Sequence, residues 1–179
     1  MKKTVKQIVC SCVFVLLLGC TATSRGYDTV EELYQASLIA IKSKDKTQIE
    51  NFITSAFPSE STAKYMTKNN CIYRDFPEIL KKYPYGVDST IFYTTQRFYD
   101  FALHLEKRYG SLDDLQFAGF DRDISSPEPL NEPRCKCQDV LFVEPWGLFV
   151  FQHNNDTIEY KIGELLKVSG EWKAFTIGF

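Results

Sequence analysis

Hydrophobic residues that follow residue 28 recur at intervals of three and four positions, the spacing of one face of an α-helix. The first stripe comprises Val30, Leu33, Tyr34, Leu38 and Ile41. Asp28 or Thr29 can serve as its N-cap, because a side-chain oxygen there accepts a hydrogen bond from the first helical turn. A shorter stripe of Ile49, Phe52 and Ile53 follows Asp45, a second candidate cap. The pattern predicts two consecutive helices that form a hairpin.

A longer helix is predicted over residues 88–109, where Gly110 provides a natural stop. Its main stripe comprises Ile91, Phe98, Ala102, Leu105 and Tyr109. We interpret the aromatic residues of this helix as core packing rather than a ligand cleft, since the helical period accounts for most of them. They are Phe92, Tyr93, Phe98, Tyr99 and Phe101. Shorter helices are predicted over residues 59–69 and 76–82.

The period changes towards the carboxyl terminus, where apolar runs and alternating patterns are typical of strands. Residues 125–133 contain three prolines and therefore cannot form a regular helix or a central strand. Strands are predicted over residues 140–143, 148–152, 158–162 and 172–179, with hairpin turns at Asn154-Asn155-Asp156 and Ser169-Gly170. Helices followed by strands indicate an α+β fold, in which N-terminal helices pack on a C-terminal antiparallel β-sheet.

This order of elements resembles the nuclear-transport-factor-like superfamily of small, cone-shaped α+β domains. The resemblance is carried by Lys44-Asp45-Lys46 at the corner of the helical hairpin and by Gly170-Glu171-Trp172-Lys173 in the closing β-hairpin. Members of that superfamily usually have an early strand, whereas the predicted helices of this chain continue from residue 28 to residue 109. The resemblance implies a single domain that is common among exported bacterial lipoproteins.

The amino terminus has the pattern of an export signal, with three lysines followed by an apolar run over residues 8–18. That run is about half the roughly 20 residues that a membrane-spanning helix needs. It ends in Leu17-Leu18-Gly19-Cys20, which resembles the lipobox of bacterial lipoproteins. The resemblance implies that Cys20 receives a diacylglycerol and that cleavage occurs before it. We therefore expect a signal peptide over residues 1–19, a tether over 20–27 and one domain over 28–179.

The residue after the predicted lipidation site bears on location. Thr21 stands where an aspartate would resemble the inner-membrane retention signal of enteric bacteria. The absence of an aspartate at this position favours the outer membrane, with the domain facing the periplasm.

The chain has 179 residues and a formal net charge of −2, and the basic residues of the first 19 positions leave the remainder more acidic. A nucleic-acid partner, which requires a basic surface, is excluded on this ground.

Three cysteines follow the predicted tether, and an oxidising envelope favours a disulfide between two of them. Cys71 could pair with Cys135 or with Cys137, which leaves one thiol over. Unpaired thiols and a metal site are the alternatives, the latter requiring a further ligand such as His153. We assign no metal and no cofactor.

No catalytic residue is assigned, since the chain lacks a phosphate loop, a dinucleotide fingerprint, a serine elbow and a zinc-protease helix. His104 and His153 are interpreted as surface or boundary residues. Asp113 and Asp114 are interpreted as helix caps, and Asp121 and Asp123 as part of the same acidic patch. The expected function is a lipid-anchored, non-catalytic binding or accessory domain for an envelope protein or a glycan. The alternative is a small envelope hydrolase that uses acidic residues or a pair formed by Cys137 and His153.

Overall fold

The computed structural model describes residues 26–71, 87–130, 135–137 and 140–175. Helices occupy the N-terminal half and antiparallel strands the C-terminal part, so the predicted α+β fold is confirmed. The signal peptide, Cys20 and the predicted helix over residues 76–82 lie outside the described residues.

The described helices begin and end close to where the hydrophobic periodicity places them. They are α1 (Val30–Ser43), α2 (Lys46–Ala56), α3 (Glu60–Lys68) and α4 (Val87–Tyr109). Thr29 caps α1 in a capping box with Glu32, and the Asp45 side chain caps α2 by accepting from the backbone N–H of Gln48. The two predicted caps therefore fix the residues at which the two helices of the hairpin begin.

The strands form two antiparallel sheets, whereas the sequence led us to expect one. The strands are β1 (Leu115–Phe120), β2 (Glu128–Pro129), β3 (Leu141–Val143), β4 (Gly147–Phe151), β5 (Thr157–Tyr160), β6 (Leu165–Val168) and β7 (Glu171–Ala174). One sheet has the order β1-β4-β5 and the other β2-β3-β6-β7. The expectation was wrong because β3 pairs with β6 and leaves β4 and β5 to pair with β1.

The main core lies between the helices and both sheets. Its buried residues include Leu33 and Ile41 of α1, Phe98 of α4, Phe149 of β4 and Trp172 of β7. A smaller second core contains Met66 of α3, Leu166 of β6 and Phe175. The second core therefore joins the third helix to the four-stranded sheet.

The chain contacts the four-stranded sheet just before α1 begins. The backbone N–H of Trp172 donates to the carbonyl of Tyr27 over 2.8 Å, and the N–H of Gly26 donates to the Glu171 carboxylate over 2.9 Å. Lys173 is buried beside Glu171 and donates to the carbonyl of Ser55 over 3.0 Å. Contacts with β7 therefore extend to Gly26, two residues before the predicted domain boundary at residue 28.

The aromatic residues of α4 divide into a buried and an exposed group. Phe98 is fully buried, and Tyr99 and Phe101 are partly buried against the main core. Phe92 is 68% exposed and Tyr93 is 53% exposed, so the interpretation as core residues was wrong for these two. Their positions fall to the side of the buried stripe, which runs through Phe98 and Ala102.

No helix in the part of the chain that the structure describes is long and apolar enough to cross a membrane.

Tyr34 of α1 connects the helices to the three-stranded sheet. Its buried hydroxyl donates to the carbonyl of Pro145 over 2.7 Å and accepts from the backbone N–H of Ile162 over 3.3 Å. The ring lies so close to Gly147 that a Cβ atom at that position would overlap it. A glycine is therefore required where β4 passes the ring.

We expect Tyr34→Phe to lower the free energy of unfolding by about 1–3 kcal/mol, because the buried carbonyl of Pro145 and N–H of Ile162 lose their partner. Chemical denaturation of the purified protein measures this loss. Tyr65→Phe is the matched control, since Tyr65 is exposed on α3. Equal stabilities of the two variants would contradict the role given to the Tyr34 hydroxyl.

Candidate functional site

The three cysteines that follow the predicted tether come together at the second core. Their Sγ atoms all lie within 4.8 Å of one another. Cys71 is fully buried, Cys137 is 8% exposed and Cys135 is half-buried. We call Cys71, Cys135 and Cys137 the cysteine cluster.

A turn after α3 places Cys71 in the cysteine cluster. The helix ends at Lys68, Asn70 adopts a left-handed conformation with φ 54°, and the N–H of Cys71 donates to the carbonyl of Met66 over 2.9 Å. This geometry is typical of a helix C-terminus, where a residue with positive φ reverses the chain. The turn directs the Cys71 side chain into the second core.

Residues 135–137 lie against this turn through backbone hydrogen bonds. The N–H of Lys136 donates to the carbonyl of Asn69 over 3.0 Å, and the N–H of Cys137 donates to the Sγ atom of Cys71 over 3.3 Å. The two segments are therefore held together by the main chain as well as by sulfur contacts.

The Sγ atom of Cys71 lies within reach of a disulfide bond to Cys135 and, alternatively, of one to Cys137. The Cα–Cα distances are 4.3 and 6.4 Å, close to the two ends of the range of about 4.4–6.8 Å usual for disulfides. A sulfur atom forms a single disulfide, so the two bonds are alternatives. Both pairings that the sequence allows are geometrically accessible.

The cysteine cluster also has the ligands of a soft metal ion, because three thiolates suit copper(I) or zinc. A closed structural zinc site has four ligands, however, and the group of neighbouring metal-ligating side chains in the described structure contains these three sulfurs alone. His153, which the sequence suggested as a further metal ligand, contacts Asp114 instead.

His153 lies beside Asp114, at the start of β1. The Asp114 carboxylate contacts the His153 ring and accepts from its backbone N–H over 3.0 Å. This places His153 with a carboxylate and not in the cysteine cluster, so the structure does not assemble the pair of Cys137 and His153. His104 is exposed on α4.

The carboxylates of Asp114, Asp121 and Asp123 accept hydrogen bonds from backbone N–H groups of the folded part. Asp114 joins β1 to the turn after β4, and Asp113 follows a turn at Ser111, so their interpretation as helix caps was wrong. Asp121 accepts from the backbone N–H of Trp146 over 2.8 Å, and Asp123 accepts from the N–H of Ser125 over 2.8 Å. These carboxylates thus fix loops at the ends of the strands.

The surface of the described part of the chain includes an open groove and a smaller pocket. An open groove of about 560 Å³ runs beside α1, where Tyr27, Ala36 and Ile39 supply apolar surface and Glu32 and Gln35 supply polar groups. A smaller pocket of about 210 Å³ lies next to β3 and is lined by Arg122, Asp123, Glu128 and Glu144, among others.

No protein-family model matches the chain, and neither a curated protein nor a solved structure shows significant similarity to it.

The pKa of the Asp114 carboxyl lies below its usual value, because the His153 side chain hydrogen bonds to it. Such a group contributes stability above its unfolded-state pKa, and that contribution is lost as the pH falls through the lower pKa of the folded state. We expect Asp114→Asn to weaken the fall in melting temperature below about pH 4. Asp113→Asn, at an exposed neighbouring carboxyl, is the control. Identical acid dependence of wild type and Asp114→Asn would refute the prediction.

Proposed function

We propose that this chain is a lipid-anchored lipoprotein of the bacterial cell envelope, whose folded part is a non-catalytic binding or accessory domain. The observation that carries the proposal is the run Leu17-Leu18-Gly19-Cys20 at the end of a short apolar segment. The small Gly19 gives a peptidase access to the backbone, and the Cys20 thiolate can form a stable thioether. Both properties are required by the chemistry of lipoprotein processing.

The strength of the anchor follows from the number of acyl chains. Each buried methylene contributes about 0.8 kcal/mol, so one chain binds reversibly whereas two or three hold the protein on the bilayer. Diacylglycerol on the Cys20 sulfur together with an acyl group on the new amino terminus supplies three chains. We propose the outer membrane as the location, because Thr21 is not an aspartate.

The groove beside α1 supports a binding role. Ile39 is 65% exposed at its edge, and Tyr27 and Ala36 continue the apolar surface. The polar groups of Glu32 and Gln35 can orient a ligand there, as a few polar groups do in other binding sites. The groove begins beside Tyr27, close in sequence to the proposed anchor. We propose an envelope protein or an envelope glycan as the partner.

We expect Cys20→Ala to abolish incorporation of labelled palmitate and to remove the lipidated form of the protein from the membrane fraction. Lipidation requires the thiol of the lipobox, which alanine lacks. Cys12→Ala is the matched control, because this variant removes a cysteine of the leader instead and should be labelled like wild type. Mass spectrometry of the amino terminus should show a chain that begins with acylated Cys20. Unchanged labelling of Cys20→Ala would disprove the anchor.

We expect Ile39→Asp to reduce, by about tenfold or more, the envelope protein or glycan that purified protein retains from a detergent extract of the envelope. A charged carboxylate in an apolar binding groove must be desolvated when the partner binds. Leu103→Asp, which alters an exposed apolar residue of α4 instead, serves as the control. Equal retention by both variants would exclude this groove as the binding surface.

A further inference from the structure

The shared position of Cys71 leaves one cysteine of the cluster without a disulfide. Cys71 contacts both Cys135 and Cys137 and can bond to one of them at a time. The remaining sulfur then lies next to an existing disulfide, within 4.8 Å of both bonded sulfur atoms. This juxtaposition of a thiol and a disulfide is what thiol–disulfide exchange requires.

We propose that the cysteine cluster is a thiol–disulfide exchange site, in which Cys71 bonds alternately to Cys135 and to Cys137. The third cysteine carries the thiol that drives the exchange. This proposal does not depend on the lipid anchor, because it uses side chains of the folded part alone.

The exchange balances without an external reagent. When Cys71 is bonded to Cys137, the Cys135 thiolate attacks the Cys71 sulfur, a new Cys71–Cys135 bond forms, and the Cys71–Cys137 bond breaks. The Cys137 thiolate leaves and takes up the proton that Cys135 lost. The reverse step restores the first isomer. The initial disulfide forms when a disulfide of a second molecule is reduced to two thiols while Cys71 and one neighbour are oxidised.

The main-chain contacts allow the exchange to occur within a fixed backbone. The bonds from Lys136 to Asn69 and from Cys137 to the Cys71 sulfur keep both segments in place. The exchange then requires rotation of the Cys135 and Cys137 side chains and no rearrangement of the backbone. Each isomer links Cys71 to the segment of residues 135–137, so the same two segments stay covalently joined in both.

The two isomers differ in the accessibility of the thiol. A Cys71–Cys135 bond leaves the thiol on Cys137, which is 8% exposed, whereas a Cys71–Cys137 bond leaves it on the half-buried Cys135. Of the two residues that can carry the thiol, Cys135 is the more exposed. The chemical class of partner that fits is therefore a molecule with an accessible disulfide, which the Cys135 thiolate can attack to form a mixed disulfide.

The sequence makes the isomers separable by peptide mapping of the full chain. Trypsin cleaves after Arg134 and after Lys136, so Cys135 and Cys137 fall on different peptides. The protein is treated with iodoacetamide for increasing times, quenched with acid and digested under conditions that suppress exchange. We expect both disulfide-linked peptides at early times. The alkyl group should then accumulate on Cys135 while the Cys71–Cys137 peptide increases at the expense of the other.

The rate of this conversion should rise with pH, because the thiolate is the attacking species. Cys135→Ser and Cys137→Ser are matched variants. Each should form the remaining bond to Cys71 and leave no thiol in the cluster to be alkylated.

Three outcomes would overturn the proposal. The first is a single disulfide isomer whose fraction does not change with the time of alkylation. The second is failure of either serine variant to form the remaining bond to Cys71. The third is three reduced cysteines with zinc or copper bound in a one-to-one ratio, measured by elemental analysis, which would assign the cluster to a metal instead.

Discussion

The hydrogen-bonded position of Tyr34 is the constraint on which the arrangement of helices and strands depends. Its hydroxyl bonds to the residues just before β4 and just after β5, and its ring packs edge-on against Phe120 at a centroid distance of 5.1 Å. Burial raises the pKa of the Tyr34 hydroxyl, so that it stays protonated and continues to donate. Since Gly147 leaves room for the ring, helix α1 can approach the three-stranded sheet closely.

In the second core, the cysteine cluster connects distant segments of the chain as Tyr34 does in the main core. The connection there is a covalent bond and not a hydrogen bond. The main core buries residues from three helices and both sheets, whereas the second core has one short helix and part of one sheet. Cys71 and its alternative partners are 64 and 66 residues apart, and the chain-entropy account assigns a disulfide across such a loop about 4 kcal/mol of stabilisation. The disulfide therefore adds stability to the second core, which has less packing than the main core.

Local patterns predicted the elements whose burial follows a regular period, and failed where distant contacts decide. The stripe containing Phe98 gave the position of α4, and proline restricted β2 to the edge of its sheet. Strand β1 was missed because its register shifts at Gly119, which interrupts the alternation of buried and exposed positions. The contact of Asp114 with His153 spans 39 residues and leaves no local signal. For the cysteine cluster, the residue type indicated sulfur chemistry. That Cys71 lies within reach of both Cys135 and Cys137 follows from the three-dimensional structure and not from the sequence.

The proposed anchor and the contact of Gly26 with Glu171 together limit where the domain lies relative to the membrane. Six residue steps separate Cys20 from Gly26, and a fully extended chain spans at most about 3.3–3.6 Å per residue. If lipid is attached at Cys20, the edge of β7 can therefore move no more than about 20 Å from the bilayer surface. The groove beside α1 begins at Tyr27, seven residue steps from Cys20, so its near end can lie no more than about 25 Å from that surface. In a lipid-anchored protein, a partner that occupies this groove would therefore bind within reach of the membrane surface.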